Sequence, residues 1–144
     1  MHIVPPANGS VDLPRYIPLE VKPIASALDW DLARVLWAPV NLYAEFLLAP
    51  KNLRLRINFP KVTVYRVIDD LEMLDSEYDA NVGIEYRHFG YQVEGAAFWR
   101  DNINHIKRVG SPQAHYRYIT GNSCVDVISV YEPHYAGLLL KDKE

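Results

Sequence analysis

His115, Arg117, Cys124 and Asp126 lie close together in the stretch HYRYITGNSCVD, and their types could do chemistry. A histidine steered by a carboxylate is an ordinary general base, and a thiol beside such a histidine is a nucleophile. Whether these groups can meet depends on the backbone that carries them. Runs rich in Tyr, Ile, Val and Thr flank Gly121-Asn122. That pair suits a two-residue hairpin loop, because glycine accepts a positive φ without a Cβ clash. The loop sets a register in which Thr120 faces Ser123, Tyr118 faces Val125, Arg117 faces Asp126 and Tyr116 faces Val127. Side chains alternate along a strand, so Tyr116, Tyr118, Val125, Val127 and Tyr131 share one face. His115, Arg117, Ile119, Cys124, Asp126, Ile128 and Val130 share the other. Cys124 then stands opposite Ile119, two strand steps from His115, which argues against a Cys–His nucleophile. His115, Arg117 and Asp126 remain as candidates to line a sheet-walled pocket with acid–base chemistry. The plainer reading of Arg117 and Asp126 is an exposed cross-strand ion pair, which contributes little.

A second set is acidic. Asp75, Glu77, Asp79 and Asn81 alternate like the ligands of a calcium loop. The sixth position of such a loop needs glycine and holds Ala80, and the twelfth needs a bidentate acid and holds Tyr86. No metal is therefore expected. The block reads as a solvated loop or as an anionic recognition surface, since residues 69–79 hold six acids and no Lys or Arg. Arg54 and Arg56 project together from the polar face of a strand. They serve solubility there, or they meet an acidic partner. The sequence holds no P-loop, G-x-G-x-x-G, G-x-S-x-G, H-E-x-x-H or zinc spacing, and no cofactor is expected.

Composition sets the frame. A chain of 144 residues, 49% hydrophobic and 23% charged, makes one domain with a core that needs no staple. A net charge of −3 argues against a general nucleic-acid binder. Cys124 is the lone cysteine, so an internal disulfide is excluded, and a small buried hydrophobe is the expected role. The start MHIVPPANGS lacks the features of a signal peptide, and no apolar run approaches the ~18 residues that span a bilayer. A cytoplasmic protein without membrane attachment is the expectation.

The elements that must position these residues follow from periodicity. Prolines and a glycine make residues 1–15 an irregular arm, and Tyr16 to Lys22 forms an edge strand. Leu28, Leu32, Val35 and Leu36 fall at helical spacing after a capping Ser26, so residues 27–37 are expected to be helical, with the start of a long strand as the alternative. Trp30 and Trp37 are expected in the core or at an interface. Val40 to Leu48, Leu53 to Phe59 and Val62 to Ile68 alternate as strands. Val82 to Phe89 reads as another strand, with a turn at Gly90. Residues 95–108 read as a helix with Ala96, Trp99, Ile103 and Ile106 inward, stopped by Gly110 and Pro112. Residues 135–140 are expected to cover a sheet edge.

One group of residues carries a resemblance: Val62-x-x-Tyr65-Arg-Val-x-Asp-Asp70, Trp99, and His115-Tyr-x-x-x-Thr120 with Val125-Asp-Val-Ile-Ser129 and Glu132-Pro133. They resemble small uncharacterised bacterial proteins, some of them similar to immunity proteins of polymorphic-toxin systems. The likeness covers about residues 53–135 and transfers no catalytic residue. It implies a non-enzymatic protein that binds a toxin-like partner and blocks it. The expected fold is α+β: a curved antiparallel sheet of five to seven strands with one or two packed helices. A small-molecule or acid–base domain is the alternative function.

Overall fold

The computed structural model describes residues 13–69, 81–85 and 87–139. The class is α+β, as the sequence predicts, but the strands divide between two open sheets. Among the described residues the strands are β1 (Arg15–Pro18), β2 (Trp30–Ala38), β3 (Asn41–Leu48), β4 (Leu53–Phe59), β5 (Val62–Ile68), β6 (Gly90–Glu94), β7 (Ala114–Ile119), β8 (Cys124–Ser129) and β9 (His134–Leu139). One sheet runs β1-β6-β7-β8-β5 and the other β2-β3-β4-β9, and every strand pair in both is antiparallel. Two short helices, α1 (Ala97–Asp101) and α2 (Ile103–Val109), complete the described elements.

The sheets pack face to face. Leu42, Ala44, Phe46 and Leu48 of β3 and Leu55, Ile57 and Phe59 of β4 meet Tyr116, Tyr118, Val125 and Val127 of β7 and β8 in one buried cluster. Phe59 and Phe46 each contact the Tyr118 ring, with centroids 5.9 and 6.0 Å apart. Aromatic contacts of this kind contribute beyond the area they bury. The helices cover the far face of the five-stranded sheet, where Phe98 and Ile106 pack with Ile128. That leaves the outward face of the four-stranded sheet on the opposite side of the molecule from the helices.

The hairpin forms in the predicted register, with Tyr118 opposite Val125 and Arg117 opposite Asp126. Its glycine serves another purpose. Gly121 has no positive φ, and a Cβ there would come within 3.2 Å of the Leu28 carbonyl oxygen. The loop tip lies against the start of β2, with the Gly121 amide donating to the Trp30 carbonyl and Asn122 Oδ1 accepting from the Leu32 amide at 3.3 Å. Tyr131 lies beyond the end of β8 and is exposed rather than sharing the Tyr118 face.

Three expectations change. Residues 27–37 are not a helix: a single 3-10 turn at Ala27–Asp29 leads into β2. A bulge between Leu32 and Arg34 is the cause. It puts Leu32 and Val35 three apart on the core-facing side, a step that a helix also gives, whereas Leu28 and Leu36 of that pattern are exposed. The strand assigned to Val82–Phe89 starts instead at Gly90 and runs to Glu94. Gly90 sits in the sheet because a Cβ would meet the Tyr118 ring at 3.0 Å. The helix over 95–108 breaks at Asn102, whose side-chain amide donates to the Phe98 carbonyl at 2.8 Å. The break turns Phe98 inward, while Trp99 and Ile103 are only half-buried. Residues 134–139 extend the four-stranded sheet along β4, so they do cover its edge.

Candidate functional site

The far face of the five-stranded sheet holds a cluster of polar and charged side chains that is buried except for Arg66, which is 26% exposed. Asp126, Arg117 and His115 are buried beneath α1 and the segment before it. β7 and β8 place them. Arg117 lies opposite Asp126, and His115 lies one step diagonal to it. Arg117 Nε and His115 Nε2 both donate to Asp126 Oδ1 at 2.6 Å, and Arg66 Nε donates to Oδ2 at 2.8 Å. Arg66 arrives from β5, where it is paired in register with Asp126. Arg117 also donates to the Tyr16 hydroxyl. The guanidinium of Arg66 sits 4.5 Å over the Phe98 ring.

The electrostatics follow from this packing. Burial would raise the Asp126 carboxyl, but Arg117, His115 and Arg66 outweigh it and hold the group well below the carboxylate range. Burial lowers His115 against the pull of Asp126, so the imidazole is neutral. Burial works against the charge of Arg117, but Asp126 keeps it well above its ordinary value. Tyr16 is pushed up to about 12, chiefly by burial, with Arg117 opposing. Because Asp126 is ionised, Nε2 of the neutral His115 carries the proton. Nδ1 is then a lone-pair acceptor, and it has no hydrogen-bond partner among the described residues. His115 is among the residues lining a pocket of about 300 Å³ with Gln92, Glu94, Trp99 and Gln113, but neither Arg117 nor Asp126 reaches that lining. The predicted exposed ion pair is thus a buried cluster. Cys124 is buried in register with Ile119, among Tyr16 and Tyr91.

A second cluster lies on the outward face of the four-stranded sheet. Glu45, on the outward face of β3, has no exposure and is held by three arginines. Arg34 Nε donates to Oε1 at 2.8 Å, Arg56 reaches Oε2 through Nε at 2.8 Å and Nη2 at 2.6 Å, and Arg54 Nη1 stands 3.7 Å from Oε1. The Arg34 hydrogen bond, against the effect of burial and with help from Arg56, lowers the Glu45 carboxyl. Arg54 and Arg56 do project together, as predicted, but their first partner is within the chain. Glu45 and Arg34 were not legible as their neighbours, because the helical spacing in residues 27–37 hid the strand that carries Arg34 beside β3.

A third feature is aromatic. Trp37 of β2 stacks on Tyr65 of β5 with centroids 5.4 Å apart, joining the open edges of the two sheets. Trp37 is 51% exposed and Tyr65 36%, with Val40 and Val67 also exposed. Trp30, by contrast, is fully buried against Phe89. Asp75, Glu77 and Asp79 lie outside the described residues. Among the described residues no group of three His, Cys, Asp or Glu side chains could hold a metal, and no helix is long and apolar enough to cross a membrane.

No family model, curated protein or solved structure matches the chain. Its class rests on the fold alone: an α+β protein of two packed antiparallel sheets.

Proposed function

We propose that the chain is a non-enzymatic protein-interaction module of immunity type, acting in the cytoplasm by binding a protein partner and blocking it. The stacked pair Trp37 and Tyr65 carries the reading. Two large rings left in solvent across the open edges of both sheets are the kind of anchor that dominates interface energetics. The buried charge cluster supports it from the other side, because Asp126 and its arginines satisfy one another and present no exposed nucleophile. The net charge of −3 favours a protein over nucleic acid as partner.

Co-expression with the product of the adjacent reading frame tests the reading. The expected result is protection of the host and a complex that survives purification. Trp37→Ser with Tyr65→Ser should weaken that complex at least about 100-fold, as loss of aromatic anchors does. A folded double variant with unchanged affinity would remove the seam from the interface. Absence of both protection and complex would overturn the reading.

The second reading, a small-molecule or acid–base domain, rests on the acceptor-only Nδ1 of His115 and on the 300 Å³ pocket that His115 helps to line. A small molecule that raises the melting temperature of the wild type but not of His115→Gln would favour it.

A further inference from the structure

We infer that the outward face of the four-stranded sheet docks an acidic protein segment, whose carboxylate completes the arginine cluster around Glu45. This deepens the interaction-module reading and rests on it. Both Glu45 oxygens are already taken by Arg34 and Arg56. Arg54 has only a 3.7 Å approach to that carboxylate, and its Nε is buried without a hydrogen-bond partner. Arg54 is thus the least engaged of the three guanidiniums, and the partly exposed end of its fork, not the buried Nε, is what an incoming carboxylate can reach. The charge points the same way. Three guanidiniums on one carboxylate leave a surplus of positive charge, which Asp31, outward on the same face beside Leu47, reduces without cancelling.

The cluster is reachable and pre-set. The arginine side chains remain 52%, 36% and 44% exposed for Arg34, Arg54 and Arg56, and the Arg56 guanidinium sits 5.7 Å over the Tyr43 ring. Leu36 and Leu47 border it with apolar surface on the same face. A planar fork that is already oriented is the donor best suited to a carboxylate. Phosphate shares that chemistry, but the apolar surface of Leu36 and Leu47 beside the arginines favours a protein segment, which carries apolar side chains next to its carboxylates.

The test follows the arginine Nε–H signals by NMR while a hexaglutamate peptide is titrated into the full chain. Sodium chloride at equal ionic strength and a DNA duplex at equal charge are the comparisons. The Arg54 signal should move saturably with the peptide and more weakly with either comparison. Arg54→Gln should lower peptide affinity about tenfold. Arg15→Gln, at the edge of the other sheet, should leave it unchanged. A peptide response no larger than that of salt, or an Arg54→Gln variant that binds as well as wild type, would overturn the inference. Tighter binding of the duplex would overturn the protein source. A protective complex together with a silent Arg54 would sink this inference and leave the interaction-module reading intact.

Discussion

Arg117 Nε meets Asp126 Oδ1 at 2.6 Å across the β7–β8 pair, with both side chains fully buried. In that position the pair is a commitment of the core rather than a surface decoration. Ions removed from water persist only when their partners are fixed, and breaking one partner costs far more than the pair itself contributes.

Asp126→Asn should therefore destabilise the protein by about 3–5 kcal/mol, since it leaves Arg117 and Arg66 without their shared carboxylate. Arg117→Met should cost less, because Arg66 and His115 still satisfy Asp126 and the methionine fills similar space. Urea melts of both variants measure this. An Asp126→Asn variant within about 1 kcal/mol of wild type would mean that water reaches the cluster.

Tyr118 is fully buried between the sheets, and its hydroxyl lies 2.7 Å from that of Tyr135. Tyr118→Ala should cost about 3–5 kcal/mol through the cavity it opens. Tyr118→Phe should cost about 0.5–1.5 kcal/mol, the worth of one hydrogen bond. The difference between the two, read from denaturation midpoints, separates packing from polarity.

Stability should fall as the pH drops below about 6.5, the ordinary value for histidine. The folded state holds His115 neutral, so below that pH the unfolded chain binds the extra proton and is favoured, by up to about 1.4 kcal/mol per pH unit. Above it both states are neutral at this site and the contribution is constant. His115→Gln should remove this first decline whatever it does to overall stability. A second decline should begin near the ordinary carboxylate values, where Glu45 and Asp126 resist protonation only when folded. Melting temperatures from pH 8 to 3 for wild type and variant would show the two steps.

Gly83 adopts φ +97°, and a Cβ there would clash with the Tyr16 carbonyl oxygen. Gly83→Ala should displace β1 and cost more than about 2 kcal/mol, combining left-handed strain with a backbone clash. Amide exchange should accelerate first at Tyr16, whose amide donates to the Val82 carbonyl at 2.7 Å. Protection unchanged there would rule the clash out.

Local pattern made much of this legible. The alternation in Leu53–Phe59 and the loop at Gly121-Asn122 placed β4 and the β7–β8 register, since a two-residue period and a tight loop are written in neighbouring residues. The bulge in β2 hid a strand behind a helical spacing. The charge clusters were half visible. Arg117 and Asp126 face each other within one hairpin, but Arg66 joins them only because β5 closes the sheet beside β8. That pairing spans 60 residues, and no local window contains it. Glu45 and its arginines lie on the consecutive strands β2, β3 and β4, so there the helical spacing in β2 hid the cluster.

The contact between Asn122 and Leu32 has a kinetic consequence. The β7–β8 hairpin closes over a two-residue loop and can form within microseconds, whereas Leu32 and Asn122 are 90 residues apart in sequence. A contact of that span pays its loop-closure entropy late, after the sheets have collapsed on each other. Asn122→Ala should then speed unfolding more than it slows refolding, the smaller refolding effect coming from the Thr120 hydroxyl, which donates to Asn122 Oδ1 at 2.7 Å within the hairpin. The hairpin tip would thus act as a latch that sets the lifetime of the folded state more than the speed at which it is reached.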